Sequence, residues 1–158
     1  MQKGQHMRIA IGSDHRGVSL KSRIAQLLSG WSHEVVDVGT NSPESVDYPD
    51  IASAVGSQVS SQEVDRGILI CGTGIGMAIT ANKFPGVRAA PCGDVETAAL
   101  SRQHNDLNVL CLPANDLESE SCVDALVQTW LDTAFEAGRH ARRLEKISSL
   151  EQRDQEVQ

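Results

Sequence analysis

Short runs of β-branched and apolar residues alternate along the chain with longer stretches in which apolar positions recur every three or four residues. Arg8–Gly12, Glu34–Val38, Gly67–Cys71, Val87–Cys92 and Asn108–Leu112 read as strands, each bounded by turn formers. Between them Gly17–Ser29, Ile51–Ser61, Ile75–Lys83 and about Val95–Gln103 carry helical spacing, and a longer helix follows the last strand from about Glu118 to Phe135. Strands joined through helices pair in parallel, because a parallel pair needs a long crossover, and such crossovers are right-handed. The near-continuous apolar run Ile68-Leu69-Ile70 suits a strand covered on both faces. The predicted fold is a doubly wound α/β/α sandwich around a five-stranded parallel sheet, Rossmann-like. Gly138 stops the long helix, and Arg139–Gln152 adds a charged C-terminal helix whose Leu144, Ile147 and Leu150 form one apolar seam in need of a partner. Thr40–Pro49, rich in turn formers, reads as a linker between elements.

At 158 residues the chain suits one domain. The polar stretch Met1–His6, ahead of a second methionine at Met7, reads as a disordered leader, leaving 7–158 as that domain. Apolar residues make up 40%, yet the aromatic residues are only Trp31, Tyr48, Phe84, Trp130 and Phe135, so Ala, Val, Ile and Leu must fill the interior. Stacking platforms for bases are scarce, and a net charge of −7 repels phosphodiester backbones, which together exclude a nucleic-acid partner. An anionic small molecule must therefore find a local basic pocket. No apolar run approaches the roughly 20 residues of a membrane span, and the first residues hold no signal-peptide core. Cys71, Cys92, Cys111 and Cys122 form no C-x-x-C pair and no disulfide framework, as expected of reduced thiols in the cytoplasm.

In doubly wound folds ligands sit outside the carboxyl ends of the strands, which draws attention to the residues that follow each one. Strand one is followed by Ser13-Asp14-His15-Arg16-Gly17, where Asp14 either caps the next helix or serves a ligand. Strand three runs into Cys71-Gly72-Thr73-Gly74-Ile75-Gly76, a thiol and three glycines ahead of a helix. Such glycines let backbone N–H groups converge on an anion at a helix N-terminus, and the same field favours thiolate at Cys71, making it a candidate base; a buried apolar cysteine is the plainer alternative. Asp94 lies where a ribose-binding acid would stand in a dinucleotide site, but G-x-G-x-G is not G-x-G-x-x-G and the loop follows the third strand rather than the first. In Ser101-Arg102-Gln103-His104-Asn105-Asp106, His104 is either a general acid or base, the role imidazole fills most often in enzymes, or part of a helix C-cap. Arg139 and Arg143, four apart on a helix, either grip a phosphate or belong to a solvated basic face.

Taken in order, G-S-D-H-R-G, D-Y-P, G-I-L-I-C-G-T-G-I-G-M, A-N-K-F-P-G-V-R-A, S-R-Q-H-N-D and G-R-H-A-R-R closely resemble the type B ribose-5-phosphate isomerases, from Met7 to about Gln152. The wider family includes isomerases of allose 6-phosphate and galactose 6-phosphate. The resemblance implies an aldose–ketose isomerase that moves a proton through a cis-enediolate, with no metal and no cofactor. It also implies Cys71 as the base at the carbon next to the carbonyl, His104 assisted by Asp14 as the ring opener, and Thr73 as a helper in moving the hydroxyl proton. The backbone of Gly72, Thr73, Gly74, Ile75 and Gly76 would form an anion cradle, Asn105 a sugar-hydroxyl contact, Tyr48 a pocket wall, and His15, Arg139 and Arg143 the phosphate grip. Family members are homodimers or homotetramers with sites between subunits, which would give the seam of the last helix its partner. Two positions depart from relatives: some use a glutamate near the glycine loop where this chain has Cys71, and many carry an arginine after the fifth strand where this chain has Asn115.

Overall fold

The computed structural model describes residues 5–157. The expected leader falls largely outside them; His6 lies within, its ring stacked at 6.5 Å on His33. The elements are β1 (Arg8–Ser13), α1 (Val18–Gly30), β2 (Glu34–Asp37), α2 (Tyr48–Ser60), β3 (Arg66–Cys71), α3 (Ile75–Ala81), β4 (Ala89–Pro91), α4 (Val95–Asn105), β5 (Val109–Pro113), a short 3-10 turn (Ala114–Asp116), α5 (Glu120–Asp132) and α6 (Arg139–Glu156). All five strands are parallel, in the order β2-β1-β3-β5-β4. The order reverses between β1 and β3, and a crevice at such a reversal is where doubly wound folds hold ligands.

Period-two alternation splits the core into two layers. Ile68 and Ile70 of β3 face the layer containing Ile24 and Leu28 of α1, Ala98 of α4, and Val123, Leu126, Val127 and Trp130 of α5. Leu69 and Cys71 face the other layer, with Ala52, Val55 and Val59 of α2 and Met77, Ala78 and Ala81 of α3. The expected α/β/α sandwich is thus present, and the same alternation turns the Cys71 side chain toward α2 and α3.

Beyond shifts of one or two residues at element ends, the expected and observed elements differ most in four places. Tyr48 and Pro49, read as linker, open α2, because proline is tolerated in a first helical turn where its missing N–H would have no partner. The fourth strand loses Val87 and Arg88 to a turn in which Gly86 takes φ +79 and the Val87 amide donates to Phe84 O at 3.2 Å. The fifth helix stops at Asp132 rather than Phe135: Thr133 turns extended and its hydroxyl donates to Thr129 O at 2.6 Å. Ala137 and Gly138, both at positive φ, then reverse the chain into α6. That helix runs on to Glu156, its Ile147 and Leu150 remain exposed, and Glu151 reaches back to accept from the Gly86 amide.

Candidate active site

Cys71 ends β3 at its carboxyl edge, opposite Pro113 of β5, and is 7% exposed. The Gly74 amide, at the start of α3, donates to Cys71 Sγ at 3.1 Å. Gly74 holds φ +76, a conformation that costs any residue with a Cβ, and this twist is what aims its N–H back at the sulfur. The Ile75 amide donates to Thr73 Oγ1 at 3.2 Å. Two amides of the glycine loop are therefore engaged internally, and the Thr73 hydroxyl, accepting there, keeps its own proton free to donate.

Around this loop the remaining carboxyl-edge residues converge. The Asp14 amide donates to Ile70 O at 3.1 Å, placing Asp14 beside the end of β3. Its Oδ1 accepts from the amides of Arg16 (3.0 Å) and Gly17 (3.2 Å) in the turn ahead of α1, whose N-cap is Gly17 with no side-chain cap bond, so Asp14 holds the turn rather than capping the helix, while Oδ2 takes no hydrogen bond among the described residues. Tyr48, 43% exposed, lies on Gly76 so closely that a Cβ there would stand 2.6 Å from its ring. Asn115 closes the other side: its amide donates to Gly72 O at 3.0 Å, and its side chain lies 2.8 Å from where a Gly72 Cβ would be. His15 Nδ1 accepts weakly from the Val46 amide at 3.4 Å, tying it to the loop between β2 and α2.

Lys21 holds that loop, a role the sequence reading did not assign. Fully buried in α1, its ammonium donates to both oxygens of Asp37 at 2.7 Å and to the side-chain oxygen of Asn41. The signal was present, since Lys21 lies on the same helical stripe as Ile24 and Leu28, where a lysine needs a buried partner.

A second cluster forms at the opposite edge of the sheet. Helix α4 runs back from the carboxyl edge, so His104 and Asn105 at its end stand near the start of β5. The His104 ring lies on that of His140, with centroids 4.3 Å apart and planes 14° from parallel. His140 is buried, and its Nε2 lies 3.8 Å from Glu136 Oε2. Arg139 and Arg143 stand one turn apart at the start of α6, both exposed. Burial lowers the pKa of His140 below its ordinary value; His104, Arg139 and Arg143 act in the same direction and Glu136 opposes them. His104, Glu136 and His140 offer ligand-type atoms within 4.8 Å of one another, but nearly parallel rings direct their lone pairs side by side rather than toward one ion.

The other readings resolve locally. Asp94 Oδ1 accepts from the Thr97 amide at 2.7 Å, so the candidate ribose acid is the N-cap of α4. All four cysteines are free thiols, and burial pushes Cys92 and Cys111 upward, away from ionisation. No helix among the described residues is long and apolar enough to cross a membrane.

One chain thus brings together Asp14, His15, Tyr48, Cys71 and the Gly72–Gly76 loop, and separately His104, Asn105, Arg139 and Arg143. The six residues of β3 separate the two sheet edges by about 16 Å, far beyond hydrogen-bond reach.

A model of a family described as ribose/galactose isomerase matches residues 9–147. Ribose-5-phosphate isomerase B of Escherichia coli is 48% identical over 146 residues, covering 92% of this chain and 97% of that protein. The structure of Clostridium thermocellum ribose-5-phosphate isomerase B aligns with a TM-score of 0.90 at 48% identity, covering 93% of this chain and 99% of that one. That of Mycoplasma genitalium ribose-5-phosphate isomerase B, with bound ribulose-5-phosphate, aligns with a TM-score of 0.88 at 44% identity, covering 92% and 96%.

Proposed function

The chain belongs to the ribose/galactose isomerase family, and from that membership we propose that it interconverts ribose 5-phosphate and ribulose 5-phosphate, with Cys71 as the base. The observation that carries the reading is the N–H of Gly74 directed at Cys71 Sγ at the β1/β3 crevice. A sulfur that accepts a hydrogen bond is arranged as a thiolate requires, whereas Cys111, in the same layer, is driven toward the thiol by burial.

The sugar enters as a furanose. His104, with the carboxylate of Asp14, opens it by removing the anomeric hydroxyl proton and returning a proton to the ring oxygen. Cys71 then takes the proton from C2 of the open aldose. The resulting enediolate carries negative charge on oxygen, where loop amides and the Thr73 hydroxyl stabilise it; each well-placed donor is worth about 3 kcal/mol in comparable sites. Return of the proton to C1 gives the ketose, and Thr73 assists transfer between the two oxygens. Tyr48 walls the pocket, Asn105 contacts a sugar hydroxyl, and His15, Arg139 and Arg143 hold the phosphate.

Because His104 and the arginines stand at the opposite sheet edge from Cys71, a working site takes Cys71, Asp14, His15, Tyr48 and the loop from one subunit and His104, Asn105, Arg139 and Arg143 from another. The assembly is a homodimer, or a homotetramer built from such dimers, and the exposed seam of α6 supports contact between copies. Four unbridged thiols support a cytoplasmic setting.

The test is incubation of purified protein with ribose 5-phosphate in deuterium oxide containing a chelator, with allose 6-phosphate in parallel. The expected result is ulose phosphate formed faster from the pentose, with deuterium incorporated at the carbon that receives the proton. Absence of conversion overturns the activity, loss of turnover with chelator overturns the metal-free chemistry, and a faster hexose reaction overturns the substrate assignment.

A further inference from the structure

The buried ring of His140 is not needed by any step above, yet it covers one face of His104. The turn that leads into α6 explains how it gets there. Glu136 donates its amide to Gln103 O at 3.1 Å, which pins the turn to the residue preceding His104. Ala137 and Gly138, at φ +55 and +54, reverse the chain within two residues, and the His140 amide donates to Ala137 O at 3.0 Å. The second residue of α6 is thereby directed inward onto α4, while Arg139 beside it stays in solvent. The outcome is a stack with the partly buried His104, the centroids 4.3 Å apart and the planes only 14° from parallel.

A neutral imidazole is a better platform for a second imidazole than a charged one, because two cationic rings in van der Waals contact repel. The groups facing His140 are arranged to match: His104 from α4, Arg139 and Arg143 from α6, and the opposing carboxylate of Glu136 from the preceding turn. Together with burial they lower the pKa of His140, which favours its uncharged form.

We propose that His140 is a positioning residue for His104, a flat surface that holds the imidazole in one plane so that its nitrogen meets the furanose oxygens. The proposal rests on the ring-opening role given to His104. A free imidazole rotates about its side-chain bonds, and misplacement of a catalytic group by about 1 Å can cost as much as a hundredfold in rate. Stacking confines the ring to its plane without occupying either nitrogen, which leaves both available for proton transfer.

The experiment compares His140→Ala and His140→Phe in the intact protein. On ribose 5-phosphate, His140→Ala should lower kcat about ten- to a hundredfold with KM little changed, since the substrate's phosphate contacts remain. His140→Phe, flat and uncharged, should recover most of the loss and shift the acid limb of the pH–rate profile to lower pH, because no second imidazole is left to protonate. In parallel, the ring-proton NMR signals of His104 report the stack without reference to turnover. They should lose their ring-current shift in His140→Ala and retain one in His140→Phe. Wild-type kcat in His140→Ala despite loss of the ring-current shift overturns the positioning role. A Phe variant as impaired as the Ala variant, with the stack retained, overturns it equally, because a nitrogen of His140 would then be doing chemistry. If wild-type protein with an intact stack is inactive on the sugar phosphate, the reading of the site fails instead.

Discussion

Three sulfurs are buried around β3, β4 and β5, and their surroundings set them apart. Cys92 and Cys111 sit among apolar side chains that oppose charge, whereas Cys71 lies at a strand end with a main-chain N–H directed at it. Cys71→Ala removes one small side chain at the rim of the core, so the fold should survive with a melting temperature close to the wild type, while kcat on ribose 5-phosphate falls by several decades; steady-state kinetics beside a thermal melt checks both. A variant that retained wild-type turnover would transfer the base to another residue. At the second cluster, His140 carries a prediction about stability. Its pKa in the folded protein lies below the ordinary value of 6.5, so the unfolded chain binds the proton more readily. Stability is therefore full above about pH 6.5 and is lost as pH falls through the window below it. Urea unfolding between about pH 7.5 and pH 5.5 should show the wild type losing stability relative to His140→Phe as the solution is acidified, and equal slopes for the two proteins would contradict the shift.

Helix α3 begins where Tyr48, from the first turn of α2, lies against Gly76, so the two helices meet at a position with no room for a methyl group. Gly76→Ala in the wild-type background should cost about 1–3 kcal/mol and displace the pocket wall, although alanine is the better helix former by about 1 kcal/mol. With Tyr48→Ala present, the same substitution should become neutral or stabilising; denaturant midpoints of the four proteins measure the coupling, and additive effects would show that the ring and the glycine do not touch. This contact also illustrates what the pattern of residues discloses about elements. The glycines and the thiol could be placed at the β3–α3 turn because strand period, turn residues and helix start all fall within ten positions of one another. The family resemblance offers Tyr48 as a pocket wall, but the residue pattern places it in a loop, since Pro49 reads as a breaker unless the helix is known to start beside it. The Lys21–Asp37–Asn41 cage and the His140 stack were harder still. Each joins residues from separate elements, and local spacing contains no record of which helix end reaches which loop. His140 lies within a run of arginines, and nothing in that local spacing marks the burial that separates it from its exposed neighbours.

At the scale of the whole molecule, a parallel sheet imposes a constraint that no side chain can relax. Every strand delivers its end to one edge and each crossover helix returns the chain to the other, so residues that follow a strand and residues that end a crossover helix stand on opposite sides of the same subunit. Asp14, Cys71 and the glycine loop belong to the first group, His104 and Asn105 to the second. A reaction that needs both is open only to an assembly in which one copy's carboxyl edge meets another copy's helix ends, and a two-fold axis produces two such sites at once. Subunit mixing tests this directly. Cys71→Ala and His104→Asn should each be nearly inactive as pure proteins. When they are mixed in equal amounts and allowed to exchange subunits, half of the dimers pair one variant with the other. In each mixed dimer one site combines the intact Cys71 edge with the intact His104 end, while the other site carries both lesions. Activity should therefore rise to about a quarter of the wild-type value per subunit. A mixture that remains as inactive as its components, although labelled subunits have demonstrably exchanged, would mean that both residues must act from a single chain, which the sheet geometry forbids; the roles of Cys71 and His104 could not then both stand.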